Sequence, residues 1–245
     1  MYQDKFVLLA SKHKKEQVIR PVFQEHLGCH LTVEAIDTDQ FGTFTGEIPR
    51  PLSPYETCIL KAKQAAHEKN YPLSLASEGS FGPHPSNPFI PHAHEIMVFV
   101  DLEHDCVIAE HLVTPHTNYN MMLLHQDTLL DAFLASVHFP SHALTLQSGD
   151  KQHVLDKGIN THDRLQASLC DGFKHYHDLF IATDMRAMMN PTRMQTLAEL
   201  AEKLAVRIGS SCPGCGIPGF GFKTVRGHLP CVMCGNKTQI YHKGN

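Results

Sequence analysis

The chain has 245 residues, 42% hydrophobic and 19% charged, with a formal net charge of −4. That length suits one large domain, or one domain with a small appendage, around a real core. The charge excludes a global basic field for nucleic acid, and no apolar run reaches the length of a membrane span.

Residues 6–10 (FVLLA) form an apolar run that reads as a buried strand of a largely parallel sheet. The run is too short for a signal-peptide core and its lysines follow it, so a cytoplasmic location is expected. Ser11-Lys12-His13-Lys14-Lys15 comes next, then a helical pattern in Val18, Ile19, Val22 and Phe23 up to Gly28. Lysines beside helix N-terminal amides favour an anion such as phosphate. The glycines of a P-loop or dinucleotide fingerprint are missing, and a solvated basic turn is the plainer alternative.

Residues 30–36 read as a second strand ending at Asp37-Thr38-Asp39, and residues 40–52 as a loop. Residues 53–82 open with a helix. Ser53 is its N-cap, Pro54 its first residue, and Glu56 completes an S-x-x-E capping box. Ile59, Ala62 and Ala66 share its apolar face. Residues 73–76 predict a brief strand, and Ser77-Glu78-Gly79-Ser80 a polar turn beyond its end, where ligand chemistry concentrates in α/β proteins. The plainer alternative is an idle surface Glu78.

Residues 83–95 (PHPSNPFIPHAHE) predict an irregular excursion, with His84, His92 and His94 as candidate ligands of a second metal. Residues 96–100 and 106–113 predict an antiparallel hairpin. Residues 126–137 predict a helix, 142–146 a strand, 161–177 a helix, and 179–182 a strand that ends in Thr183-Asp184-Met185-Arg186. Asn190-Pro191 starts a helix whose face carries Met194, Leu197, Leu200, Leu204 and Ile208 before Gly209 stops it. This order predicts an α/β fold, a mixed sheet flanked by helices, over residues 1–208. If the ends of its strands converge, lysines and carboxylates enclose one pocket, a constellation suited to hydrolysis of a nucleoside triphosphate with Mg²⁺.

Residues 209–245 predict a small zinc ribbon. Cys212-x₂-Cys215 and Cys231-x₂-Cys234 stand fifteen residues apart, each beside turn glycines. Four thiolates at this spacing suit structural Zn²⁺. The remaining Cys29, Cys58, Cys106 and Cys170 are scattered singly, which fits reduced thiols rather than a disulfide framework. Lys223, Arg226, His228, Lys237 and His242, interleaved with Phe220, Phe222 and Tyr241, suit a nucleic-acid surface; a purely structural cap is the alternative.

The motifs over residues 5–208 resemble the inosine/xanthosine triphosphatases, which share a fold with the Maf-type nucleotide pyrophosphatases. Ala10 to Lys15 resembles that family's strand, polar turn and helix, with Lys15 at the phosphate-binding lysine and Lys12 in place of the usual Asn. Glu56-Thr57 resembles its E-T helix, Ser77-Glu78-Gly79 its acidic strand end, Ala109-Glu110 its hairpin, and Ala182 to Arg193 its late arginine loop. The resemblance implies a two-lobed α/β fold. It also implies Mg²⁺-dependent cleavage of a nucleoside triphosphate to monophosphate and pyrophosphate, often by a homodimer. On this basis Glu78, Lys15 and Asp37 or Asp39 are candidate catalytic residues. Ser11, Lys12, Asp184, Arg186 and Arg193 are candidate substrate contacts. The rival class is a non-catalytic nucleotide- or nucleic-acid-binding protein.

Overall fold

The computed structural model describes residues 1–42, 48–49, 51–84, 87–222 and 225–244, the side chains of residue 39, 225–226 and 239–244 excepted. The chain is α/β. A five-stranded mixed sheet is built from β1 (Phe6–Leu9), β2 (His30–Thr32), β3 (Leu73–His84), β4 (Asn87–Asp101) and β5 (Cys106–Thr114), in the order β2-β1-β3-β4-β5. β1 runs parallel to β2 and β3; β3, β4 and β5 are antiparallel neighbours.

Period-2 alternation sorts the side chains of these strands to two faces. Val7, Leu9, Leu75, Met97 and Phe99 pack under α1 (Glu16–Leu27) and α5 (Pro191–Gly209), whose Ile19, Phe23, Leu197, Leu200 and Leu204 are fully buried. Leu8, Ala76, Ile96, Val98 and Val100 pack under Cys58, Ala62 and Ala65 of α2 (Pro54–Lys69). Small residues on α2 let it lie close to the sheet.

A second, four-stranded antiparallel sheet has the order β6-β9-β7-β8, from β6 (Met121–Leu124), β7 (Leu144–Ser148), β8 (Val154–Ile159) and β9 (Leu179–Thr183). It carries its own core with α3 (Asp131–Ser136) and α4 (His162–His175). The lobes meet at the start of α5. Asn190 caps Arg193 N–H at 2.9 Å and donates to Asn118 at 2.8 Å, while His142 Nε2 lies 2.9 Å from Thr192.

The elements differ from the sequence reading at several places. The strand expected over 30–36 ends at Thr32, so Asp37 does not stand at its end. The strand expected over 73–76 runs on to His84, so Glu78 lies within a strand and not past its end. The expected irregular excursion is the other arm of the same hairpin. Its prolines are tolerated because β5 pairs β4 only from Ala93 onward, leaving Pro88 and Pro91 on an edge where no ladder bond is lost. The helix expected over 126–137 shrinks to Asp131–Ser136, and β6 and β8 were not anticipated.

After α5, the two Cys-x₂-Cys turns flank β10 (Val225–Pro230), which pairs antiparallel with β11 (Lys237–Gly244). Arg207 fastens this segment to the larger fold, donating to Glu110 at 2.6 Å and to the Gly219 carbonyl at 3.3 Å. Gly219 sits at φ +90°, and a Cβ there would meet Ile108 at 2.7 Å, so only glycine fits this approach.

Candidate functional site

β1 stops at Leu9, with Ala10 N–H making a last bond to the Leu75 carbonyl at 2.8 Å. β3 continues past that point without its partner, and the loop of residues 10–15 folds across the gap. A cavity of about 270 Å³ results, lined by that loop, by residues 77–81 of β3, by Lys61 of α2 and by Arg193 of α5. Ser11, Lys12, Lys15, Glu78 and Arg193 of the sequence-predicted set therefore come together.

The alternation of β3 decides what each wall offers. Ser77 and Gly79 face α1 and α5; Glu78 faces α2. Lys15, the residue before α1, is buried and donates to Ser77 Oγ at 2.8 Å and to the Ser77 carbonyl at 3.2 Å. Burial, then the nearby Arg193 charge, lowers its pKa to about 8. On the other face Glu78 pairs with Lys61, both side chains almost wholly covered. At the mouth Lys12 donates to Asp37 at 2.5 Å, an exposed pair.

Arg193 organises the floor. Its Nε and Nη2 donate to Glu95 at 2.6 and 3.2 Å, Nη1 bonds the Met185 carbonyl, and the guanidinium stands 5.1 Å above the Phe81 ring centroid. Glu95 is fully buried. The pair presses against β3: a Cβ on Gly79 would meet Arg193 Nη2 at 2.5 Å and Glu95 Oε1 at 2.6 Å. The glycine of Ser77-Glu78-Gly79 thus makes room for a buried ion pair.

Other candidates lie elsewhere. Asp184 is buried and bonds Arg186 at 2.6 Å after β9, and neither lines the cavity. Glu56 closes the capping box with Ser53. Glu110 holds Arg207. The side chain of Asp39 lies outside the described residues, as do those of Lys223, Arg226, Tyr241 and His242. His84 stacks edge-on with His92, and His94 with His111, so His84, His92 and His94 do not gather around a common point. Sequence reasoning missed Lys61 and Glu95.

The two cysteine turns are near copies. Cys212 N–H donates to the Ile217 carbonyl at 2.8 Å and Cys231 N–H to the Asn236 carbonyl at 2.7 Å; Gly216 and Gly235 N–H return to the Cys212 and Cys231 carbonyls at 2.8 Å. Both glycines take positive φ, 75° and 71°. Backbone N–H groups of residues 215 and 214 point at the Cys212 sulfur, those of 234 and 233 at the Cys231 sulfur, and lower the pKa of each thiol. The four thiols do not lie together within 4.8 Å as a ligand set.

A family model described as a domain of unknown function, DUF6671, matches residues 61–243. The chain belongs to this family. The match runs from the cavity lysine Lys61 through both cysteine turns, so the part of the α/β region from α2 onward and the cysteine segment fall within one family unit, while β1, α1, β2 and the turn with Lys12 and Lys15 precede it. No curated protein matches the chain. Among the described residues, no helix is long and apolar enough to cross a membrane.

Proposed function

We propose that the protein is a nucleoside triphosphate pyrophosphatase of the Maf and inosine triphosphatase kind, joined to a zinc ribbon. The observation that carries this reading is the convergence of Lys12, Lys15, Lys61 and Arg193 on one cavity whose described lining holds a single carboxylate, Glu78. Three of the four already hold carboxylates, Lys12 that of Asp37, Lys61 that of Glu78 and Arg193 that of Glu95; a polyanionic ligand would compete with Asp37 and Glu78 for the two lysines and add its charge beside Lys15. Lys15 and the amides at the start of α1 would take a terminal phosphate, and Lys12 a second. Lys61 would pass from Glu78 to a phosphate oxygen, releasing the carboxylate to orient the attacking water.

Mg²⁺ usually takes one or two carboxylates and completes its shell with phosphate oxygens and water, so a donor set of Glu78 plus substrate fits it. Bound there, the ion would neutralise charge on the phosphate oxygens. At the ribbon, the paired turns with N–H groups aimed at sulfur fit thiolate ligands, and Zn²⁺ would draw the two pairs together. The test is pyrophosphate release from a panel of common and non-canonical triphosphates with Mg²⁺. We expect release from at least one, lost in Glu78→Gln. No release from any, with zinc bound, refutes the reading.

A second reading, a non-catalytic protein that binds nucleic acid through the ribbon, draws on Phe220 and Phe222, which stand exposed beside the first cysteine turn. Salt-dependent nucleic-acid binding, lost when residues 209–245 are removed, would favour it.

A further inference from the structure

At the far end of the second sheet the register of β6 and β9 builds a different cluster. Leu124 faces Leu179 as the last pair of the ladder. The next residue on each side is His125 and Asp178, which the antiparallel register therefore sets opposite one another. His177 precedes Asp178 in the chain. Both imidazoles bring Nδ1 to the same carboxylate oxygen, His125 at 2.7 Å and His177 at 2.7 Å from Asp178 Oδ1. The three ligand atoms lie within 4.8 Å of one another.

The platform is fixed on both sides. His125 N–H bonds Thr128 Oγ1 at 2.8 Å, and Thr128 N–H returns to the His125 carbonyl at 3.0 Å. The Asp178 carbonyl accepts from Gly149 N–H at 2.9 Å, and a Cβ on Gly149 would meet Asp178 Cβ at 2.7 Å. Beside the cluster a concavity includes Asp127, His175 and Tyr176.

We propose that His125, His177 and Asp178 form a divalent-cation site separate from both the cavity and the ribbon. Two imidazoles and one carboxylate favour a borderline ion such as Zn²⁺ over Mg²⁺ or Ca²⁺, which prefer all-oxygen shells. Ligand distances of about 2.0–2.2 Å to the ion set neighbouring ligand atoms roughly 3.4 Å apart in a tetrahedron, so each Nδ1 must move about 0.7 Å further from Asp178 Oδ1 than its present 2.7 Å. Coordination through Nδ1 needs the Nε2–H tautomer of each ring: a neutral ring moves its proton from Nδ1 to Nε2 through water, and an imidazolium releases its Nδ1 proton to solvent. Water or an acidic group of a ligand would complete the shell. The ion would staple the end of β6 to the start of β9.

Full-length wild type, His177→Ala and His125→Ala are each dialysed against Zn²⁺ near neutral pH, bound metal is counted, and histidine side-chain ¹H–¹⁵N spectra are recorded. His177 is 94% exposed, so its loss leaves folding untouched. Zinc on the cysteines is common to all three proteins and cancels. We expect wild type to hold one more zinc than either variant, with the His125 and His177 resonances shifting together. Equal zinc in all three proteins, or an additional zinc that survives both substitutions, overturns the proposal.

Discussion

Replacing Glu95 by Gln tests the organisation of the cavity floor. Glu95 is fully buried and Arg193 nearly so, and Lys15, also buried, sits close enough to feel both charges. Glu95→Gln leaves two cations, Arg193 and Lys15, with no fully buried anion beside them. Removing one partner of a buried ion pair costs about 3–5 kcal/mol. For a chain of this size about 2–4 °C accompanies each kcal/mol, so the melting midpoint falls by roughly 6–20 °C. The exposed Lys12–Asp37 pair is the control, because such pairs contribute about 0–1 kcal/mol and Asp37→Asn should shift stability by no more. Urea unfolding followed by circular dichroism, with slopes compared between variants, measures both. Arg193→Met destabilises for the converse reason, and the double variant removes both charges together. We expect the double variant to be more stable than the sum of the single losses predicts. Additivity within about 0.5 kcal/mol, or a Glu95→Gln loss below about 1 kcal/mol, refutes the claim that the pair is coupled.

Because the Lys15 pKa is lowered to about 8, triphosphate affinity should weaken as pH rises through that value, while Lys15→Met binds weakly at every pH; calorimetry at several pH values decides it. The sign for folding is opposite: the folded state disfavours the charged lysine, so its contribution to stability rises between about pH 8 and the unfolded value of 10.5. Gly79→Ala should destabilise and lower phosphate affinity together, since its methyl enters the space of Arg193 and Glu95, and one thermal melt with one titration checks both. Ser53→Ala removes the α2 cap and should cost about 1 kcal/mol in urea unfolding without changing ligand affinity. On the proposal that the cysteine turns hold zinc, a chelator should open residues 210–244 to protease while α5 and the two sheets stay protected, read by mass spectrometry of the digest.

The parts legible in the sequence were those fixed by local chemistry. The α2 capping box, the basic turn before α1, the β4–β5 hairpin and α5 with Pro191 after Asn190 all rest on residues that touch their own neighbours in the chain. Glu95 was hidden because its stretch carries four prolines, which argue against a strand unless the strand has a free edge. That edge exists only because β5 ends opposite Ala93, a fact set by tertiary pairing. One signal was still available. Ala93, Glu95, Met97 and Phe99 repeat at period 2, and a carboxylate in such an inward row must find a buried cation. Arg193 supplies it from 98 residues away.

The same alternation revises the role of Gly79. In the sequence it closed a turn after Glu78; in the fold it is a strand residue whose missing side chain makes room for the Arg193–Glu95 pair. Ser77, Glu78 and Gly79 therefore act on two faces of one strand. Ser77 holds Lys15 and Gly79 admits Arg193 on one face, while Glu78 holds Lys61 on the other. A one-residue slip of β3 against β4 would exchange these faces, parting Lys15 from Ser77 and Lys61 from Glu78 and setting a side chain where Gly79 admits Arg193. The register of the long hairpin, rather than any single side chain, is what assembles the site.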